Sequence, residues 1–322
     1  MHVFNRMMIM KLRTEIFIAP SDMRLSFSDK IFMSGSCFVE NMSIKLQSAG
    51  LDVDVNPFGV VYNPVSIAHG IHGLLNGKNY TVSDLFENKK MFHSFSHHSR
   101  FSDVSEEACL KRINDRLAYS SDYLNQASVF VATFGTAYVY RLKDSGEVVS
   151  NCHKLPDKIF TRNRLTVAEI VQEWNELILP LRKQNPQLKF LFTVSPIRHW
   201  KDGAHDNQIS KSTLLLAIEE LIRQHDGCYY FPSYEIMMDD LRDYRFYADD
   251  MLHPSSVAAE YIWDKFSQAF FDKETLKLMQ EWESIQQALN HRPFNPDSEE
   301  YEQFKAQTKQ KLFELKKRLN RN

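Results

Sequence analysis

The sequence predicts an α/β fold in three layers, a parallel sheet with helices on both faces. Two observations predict it. Five apolar runs of strand length recur along the chain, and stretches with helical spacing lie between and after them. Strands that alternate with helices pair in parallel, and such a sheet is apolar on both sides and must be covered on both.

The first run, KIFMSG at 30–35, leads into a stretch that repeats Phe38, Met42 and Leu46 on one face and ends near Gly50. LDVDV at 51–55 is the second strand. Residues 63–127 break the rhythm: they are rich in His, Ser and Asn, with one long amphipathic pattern near Glu106 to Leu124. An insertion between the second and third core strands is expected there. SVFVATFG from 128, KFLFTVSP from 189 and CYYFPSYEI from 228 complete the strands, and helical spacing returns at Leu165 to Leu181, Ser212 to Ile222 and Val257 to Phe271.

From Asp272 onward the chain is helical and highly charged, interrupted by Pro293 and Pro296, with Asp297 or Ser298 placed to cap the last helix. That helix repeats Tyr301, Phe304, Leu312, Leu315 and Leu319, a face for packing on the body or on a second copy of the chain. The expected division is residues 1–19 as leader and N-terminal segment, 20–271 as the α/β domain and 272–322 as a C-terminal helical extension. Met10 is an alternative start, which makes the first nine residues an unstructured leader.

The chain has 322 residues, 39 Lys+Arg against 41 Asp+Glu, and 43% hydrophobic positions. A core of that size needs no metal or disulfide for stability. A net charge of -2 argues against a protein whose main partner is nucleic-acid backbone. Four cysteines without CxxC spacing form no disulfide framework, and no segment has the ~20 apolar residues of a membrane span or the pattern of a secretory signal. A cytoplasmic protein without cofactor is expected.

Ser36 lies where an apolar strand runs through a small-residue turn, Met33-Ser34-Gly35-Ser36-Cys37-Phe38, into an amphipathic helix. In open α/β sheets ligands bind beyond the carboxyl ends of strands, and a helix N-terminus there offers free N–H groups to an oxyanion. The serine reads either as a nucleophile or as a helix cap. A nucleophilic serine needs a histidine base, and that histidine needs a carboxylate to orient it. Two D-x-x-H pairs qualify, Asp202/His205 and Asp250/His253, and spacing alone does not choose between them.

Other residues carry weaker signals. Cys37, beside Ser36, is a second candidate nucleophile at the same helix N-terminus, or a buried packing residue. His93, His97 and His98, with Asp249 and Asp250, form a candidate metal set, although His93 and His97 share a face only on a helix. His97 is also a candidate for substrate hydrogen bonding. Arg198 and His199 follow the fourth strand and should emerge at the sheet edge that carries Ser36, placed to grip an anionic or polyol substrate.

Together the blocks GSCF at 35–38, Asn56-Pro57-Phe58-Gly59, Tyr62-Asn63-Pro64, Phe134-Gly135-Thr136-Ala137, Ser195-Pro196-Ile197-Arg198-His199 and Asp250-Met251-Leu252-His253-Pro254 resemble the GSCFA family, a relative of the SGNH/GDSL-type hydrolases, over roughly residues 20–270. The resemblance implies a flavodoxin-like, SGNH hydrolase-like fold and a Ser36–His253–Asp250 triad. It also implies an oxyanion hole from the N–H groups of Ser36 and Gly59. The third donor of SGNH enzymes, an asparagine, has no counterpart in Phe134-Gly135-Thr136-Ala137-Tyr138, so Thr136 or Asn63 is expected to replace it. The implied function is a serine hydrolase or acyltransferase acting on an acyl ester, an acylated carbohydrate included. The alternatives are a non-catalytic carbohydrate or acyl-group binding protein on a decayed hydrolase fold, and a metal-dependent hydrolase.

Overall fold

In the computed structural model residues 13–291, 293, 294 and 298–319 are described, so the expected leader before residue 13, Pro296 and Asp297 lie outside the described residues. All five apolar runs form strands: β1 (Lys30–Gly35), β2 (Asp52–Val55), β5 (Val129–Phe134), β9 (Lys189–Val194) and β10 (Cys228–Phe231). They pair in parallel in the order β10-β9-β5-β1-β2, which places the first strand, with its turn into Cys37, near the centre of the sheet.

Alternation along each strand builds two cores. Phe32, Phe130, Phe134, Phe190 and Phe192 face one side, where they meet α2 (Pro64–Leu75), α3 (Glu106–Asn125), α4 (Val167–Gln184) and α5 (Gly203–Gln224). Ile31, Met33, Val129, Val131 and Leu191 face the other, against α1 (Cys37–Ser48) and α7 (Ser256–Phe270). Those five phenylalanines are fully buried, and each contributes about 1.5–3 kcal/mol by leaving water.

Residues 63–127 are less of an insertion than their composition suggested. Helices α2 and α3 both seat apolar residues on the sheet, among them Ile67, Ile71, Ile113 and Leu117, so they belong to the covering layer. The elaboration within that span is a two-stranded antiparallel pair, β3 (Phe86–Asn88) and β4 (Met91–His93). A second elaboration, unmarked by any long apolar run, is the antiparallel sheet of β6 (Tyr138–Leu142), β7 (Val148–Val149) and β8 (Phe160–Arg164).

After β10 the chain makes one helical turn, α6 (Ser233–Glu235), and a π-helical stretch, Ile236–Asp240, before the segment that carries Asp250 and His253. Beyond the sheet, Asp272 caps α8 (Lys273–Leu289) and Ser298 caps α9 (Glu299–Arg318), each accepting from the backbone N–H three residues on. The two helices pack together; Arg318 forks onto Glu281 at 2.7 and 3.0 Å, and Leu319 joins the core under α7. Among the described residues no helix is long and apolar enough to cross a membrane.

Candidate active site

The carboxyl ends of β1, β5 and β9 open into a cleft of about 450 Å³, lined among others by Ser36, Cys37, Asn63, Thr136, His199 and His253. Its floor depends on one backbone position. Gly35 sits at φ +147°, and a Cβ there would lie 2.3 Å from the Thr133 carbonyl oxygen of the neighbouring strand. Only glycine lets β1 approach β5 that closely and still turn into α1. Asn56, at φ +47° after β2, locks the turn from the other side: its Oδ1 accepts from Gly35 N–H at 2.9 Å and its own N–H reaches Met33 O at 2.9 Å.

Ser36 is the N-cap of α1 by backbone, yet its side chain makes no capping bond, and its buried Oγ has no hydrogen-bond partner among the described residues. Cys37, the first residue of the helix, is more exposed than Ser36. Burial pushes its thiol above the usual range; the backbone N–H groups of Cys37 and Phe38 and the charge of Lys211 act in the opposite direction.

Of the two D-x-x-H pairs only one bonds internally. Asp250 Oδ2 lies 2.5 Å from His253 Nδ1, and Asp250 Oδ1 accepts the backbone N–H groups of Leu252 and His253, both at 2.9 Å. Those donors, His253 N–H first, hold the Asp250 carboxyl down to about 2. An ionised carboxylate on Nδ1 keeps a proton there, leaving the Nε2 lone pair to face the cleft. Met251, at φ +58°, supplies the tight bend that folds the pair back on itself. Asp202 instead pairs with Arg162, and His205 is exposed on α5.

The atom that His253 Nε2 faces is Cys37 Sγ, at 3.8 Å. Ser36, Asp250 and His253 therefore converge on one region, but among the described residues it is the thiol, not the Ser36 hydroxyl, that bonds the imidazole. The expected oxyanion donors also have other partners. Ser36 N–H reaches Thr133 O at 3.3 Å, and Gly59 N–H closes its own turn on Asn56 O at 2.8 Å, outside the cleft lining. Asn63 caps α2, with Oδ1 accepting from Ser66 N–H and Nδ2 donating to Ser66 Oγ. Thr136 Oγ1 accepts from Tyr138 N–H and shares a hydrogen bond with Ser210 Oγ.

His97 is not at the cleft. It is fully buried, ringed by Phe58, Tyr80 and Phe101, bonded to Ser94 Oγ, and burial lowers it to about 3. The expectation that it contacts substrate is corrected: it is a core histidine. The proposed metal set does not assemble either, because His93 bonds Ser102 Oγ, His98 accepts from Arg100 N–H, and Asp250 is held by His253. Among the described residues no group of three or more His, Cys, Asp or Glu side chains converges for a metal.

His199 does line the cleft, and burial followed by the charges of Lys211, Arg162 and His253 lowers it to about 4, so it is neutral near pH 7. Arg198 lies beside it, its Nε and Nη2 directed at Met238 Sδ at 3.3 and 3.1 Å.

Lys211 went unrecognised in the sequence. Fully buried beneath the cleft, its Nζ donates to Gly135 O at 2.7 Å and Ser195 O at 2.8 Å, tying together the ends of β5 and β9, and burial lowers it to about 7. The signal was the spacing Asn207, Ser210, Lys211, Leu214, one helix face that turns from polar to apolar as it leaves the site. Lys211→Met strands both carbonyls and is expected to cost about 2–4 kcal/mol. Since the folded state releases this proton near pH 7 and the unfolded chain near 10.5, Lys211 adds stability as pH rises through that window. Urea unfolding of both proteins should therefore show a larger gap at pH 9 than at pH 7; an equal or smaller gap contradicts the assignment.

The chain is similar to a family 3 carbohydrate esterase from Clostridium thermocellum at 10% identity and TM-score 0.36, over 78% of this chain and 97% of that one. It is similar to a carbohydrate esterase family 3 protein from Talaromyces cellulolyticus at 11% identity and TM-score 0.36, over 79% and 99%. A family two carbohydrate esterase from Clostridium thermocellum, solved with cellohexaose, matches at 12% identity and TM-score 0.37, over 80% and 66%. No curated protein matches the sequence. The GSCFA family model covers residues 30–266, which hold the central sheet, the GSCF turn and the Asp250–His253 pair, and a model described as the C-terminal domain of GSCFA domain proteins covers 282–322. The chain belongs to the GSCFA family.

Proposed function

We propose that the protein is an acyl-ester hydrolase or acyltransferase whose nucleophile is Cys37, with His253 as its base and Asp250 orienting His253. The observation that carries this reading is the chain of contacts Asp250 Oδ2, His253 Nδ1, His253 Nε2, Cys37 Sγ, at 2.5 and 3.8 Å. Because burial keeps the thiol protonated near neutral pH, His253 acts as a general base during attack. The sulfur forms a bond to the acyl carbon, the thiol proton passes to Nε2, and the alcohol leaves with that proton. Water or an acceptor hydroxyl, deprotonated in turn by His253, then releases the acyl group. The N–H groups at the start of α1, next to the sulfur, are the donors for the oxyanion.

Ser36 supports a second reading, a serine nucleophile, because it lines the same cleft with an unpartnered Oγ. Rapid-quench mass spectrometry after mixing with p-nitrophenyl acetate separates the two. The expected adduct is a thioester on Cys37 that neutral hydroxylamine removes. An oxygen ester on Ser36 favours the serine reading, and no adduct with measurable binding of an acylated sugar favours a binding protein.

A further inference from the structure

A second cavity of about 460 Å³ adjoins the cleft, sharing Arg198 and Trp200 with it and bordered by Asp250 beside the catalytic histidine. Its walls include Met238, Tyr244 and Tyr247. The charges in it are unequally satisfied. Arg242 pairs with Asp239, Asp243 with Arg245, and Asp250 with His253, whereas Arg198 has no carboxylate within ion-pair distance among the described residues.

The partner of Arg198 is a thioether, Met238 Sδ, presented by the π-helical stretch Ile236–Asp240. Sulfur is a weak acceptor for a cation that otherwise takes a carboxylate or phosphate in a two-bond fork. Met238 therefore orients the guanidinium without neutralising it. The rings of Trp200 and Tyr244, 52% and 76% exposed, give the same cavity flat apolar surfaces suited to the face of a sugar.

We infer that this cavity is a subsite for an anionic group on the substrate, with Arg198 as its specificity-determining residue, so that the preferred substrate is an acylated sugar bearing a carboxylate or a phosphate. This inference rests on the acyl-ester reading for the word "substrate" only; the anion site is testable without turnover.

Calorimetry on the full chain with methyl glucuronide, glucose 1-phosphate and uncharged methyl glucoside tests it. One of the two anionic ligands should bind at least about tenfold more tightly than methyl glucoside, and which one does so identifies carboxylate or phosphate. In Arg198→Ala that preference should collapse toward one; Arg198→Gln, uncharged and closer in length, carries the same expectation where the alanine variant does not fold. Equal affinity for charged and uncharged sugars in the unaltered protein, or a preference that survives both substitutions, overturns the inference. With turnover of the acetylated forms of the same sugars, the loss in Arg198→Ala should appear in KM for the anionic ester more than in kcat. Absence of all ester turnover with anion binding intact refutes the enzyme reading and leaves the subsite standing.

Discussion

His253→Ala is expected to lower kcat on a small acyl ester by about three to four orders of magnitude, with KM little changed. Among the described residues the imidazole is the group that joins the carboxylate to the thiol, through Nδ1 at 2.5 Å and Nε2 at 3.8 Å. Without it a thiol held protonated by burial has no base at neutral pH. Cys37→Ala should lose as much. The double variant should lose no more than either single one, because residues that act as a unit are not additive. Asp250→Asn removes the charge that fixes the Nδ1 proton and should also be severe, while the native carboxyl, titrating at about 2, stays charged throughout an assay from pH 4 to 9. Steady-state kinetics of these variants beside Ser36→Ala decides the nucleophile. Full activity in Cys37→Ala with loss in Ser36→Ala would falsify the thiol assignment.

Gly35→Ala should be the most destabilising single-methyl change in the sheet, by about 3–5 kcal/mol. Alanine at φ +147° is strained in its own right, and its Cβ would meet backbone at 2.3 Å from Thr133 O and 2.9 Å from Thr133 N. No rotamer change relieves a clash with backbone, so β1 must move away from β5 or the turn must open. Either movement displaces Cys37 from His253, and activity should fall even at temperatures where the variant remains folded. Gly73→Ala is the control. It lies within α2, where the nearest outside atom to a new Cβ is 3.8 Å away, so helix propensity should stabilise it by about 0.5–1 kcal/mol. Urea denaturation of both variants checks the contrast; a loss below about 1 kcal/mol for Gly35→Ala means that the turn yields.

The sheet was legible because buried parallel strands advertise themselves. KIFMSG, SVFVATFG and KFLFTVSP are apolar on both faces, and both faces are covered. The antiparallel strands β6 to β8 were not legible, since Tyr138–Leu142 and Phe160–Arg164 are short, partly exposed and mixed in polarity. Helix α5 starts at Gly203 rather than near Ser212 for a more specific reason. Its first inward positions are Asn207, Ser210 and Lys211, polar side chains that serve Gly135, Thr136, Ala137, Ser195 and His199, so an apolar period begins only at Leu214.

By itself the sequence determined the layering and the five core strands and narrowed the candidate acid-base pair to two Asp-His spacings, each three positions apart, because burial and local spacing are written in consecutive residues. Which D-x-x-H pair closes on itself, that Cys37 rather than Ser36 faces the imidazole, and that His97 belongs to the core were decided only by tertiary structure. Those outcomes depend on side-chain direction at a helix start and on contacts between segments more than 200 residues apart, such as Cys37 with His253. A one-residue step at the N-terminus of a helix turns the side chain by about 100°, and spacing along the chain carries no information about which of two adjacent residues ends up toward a partner that far away.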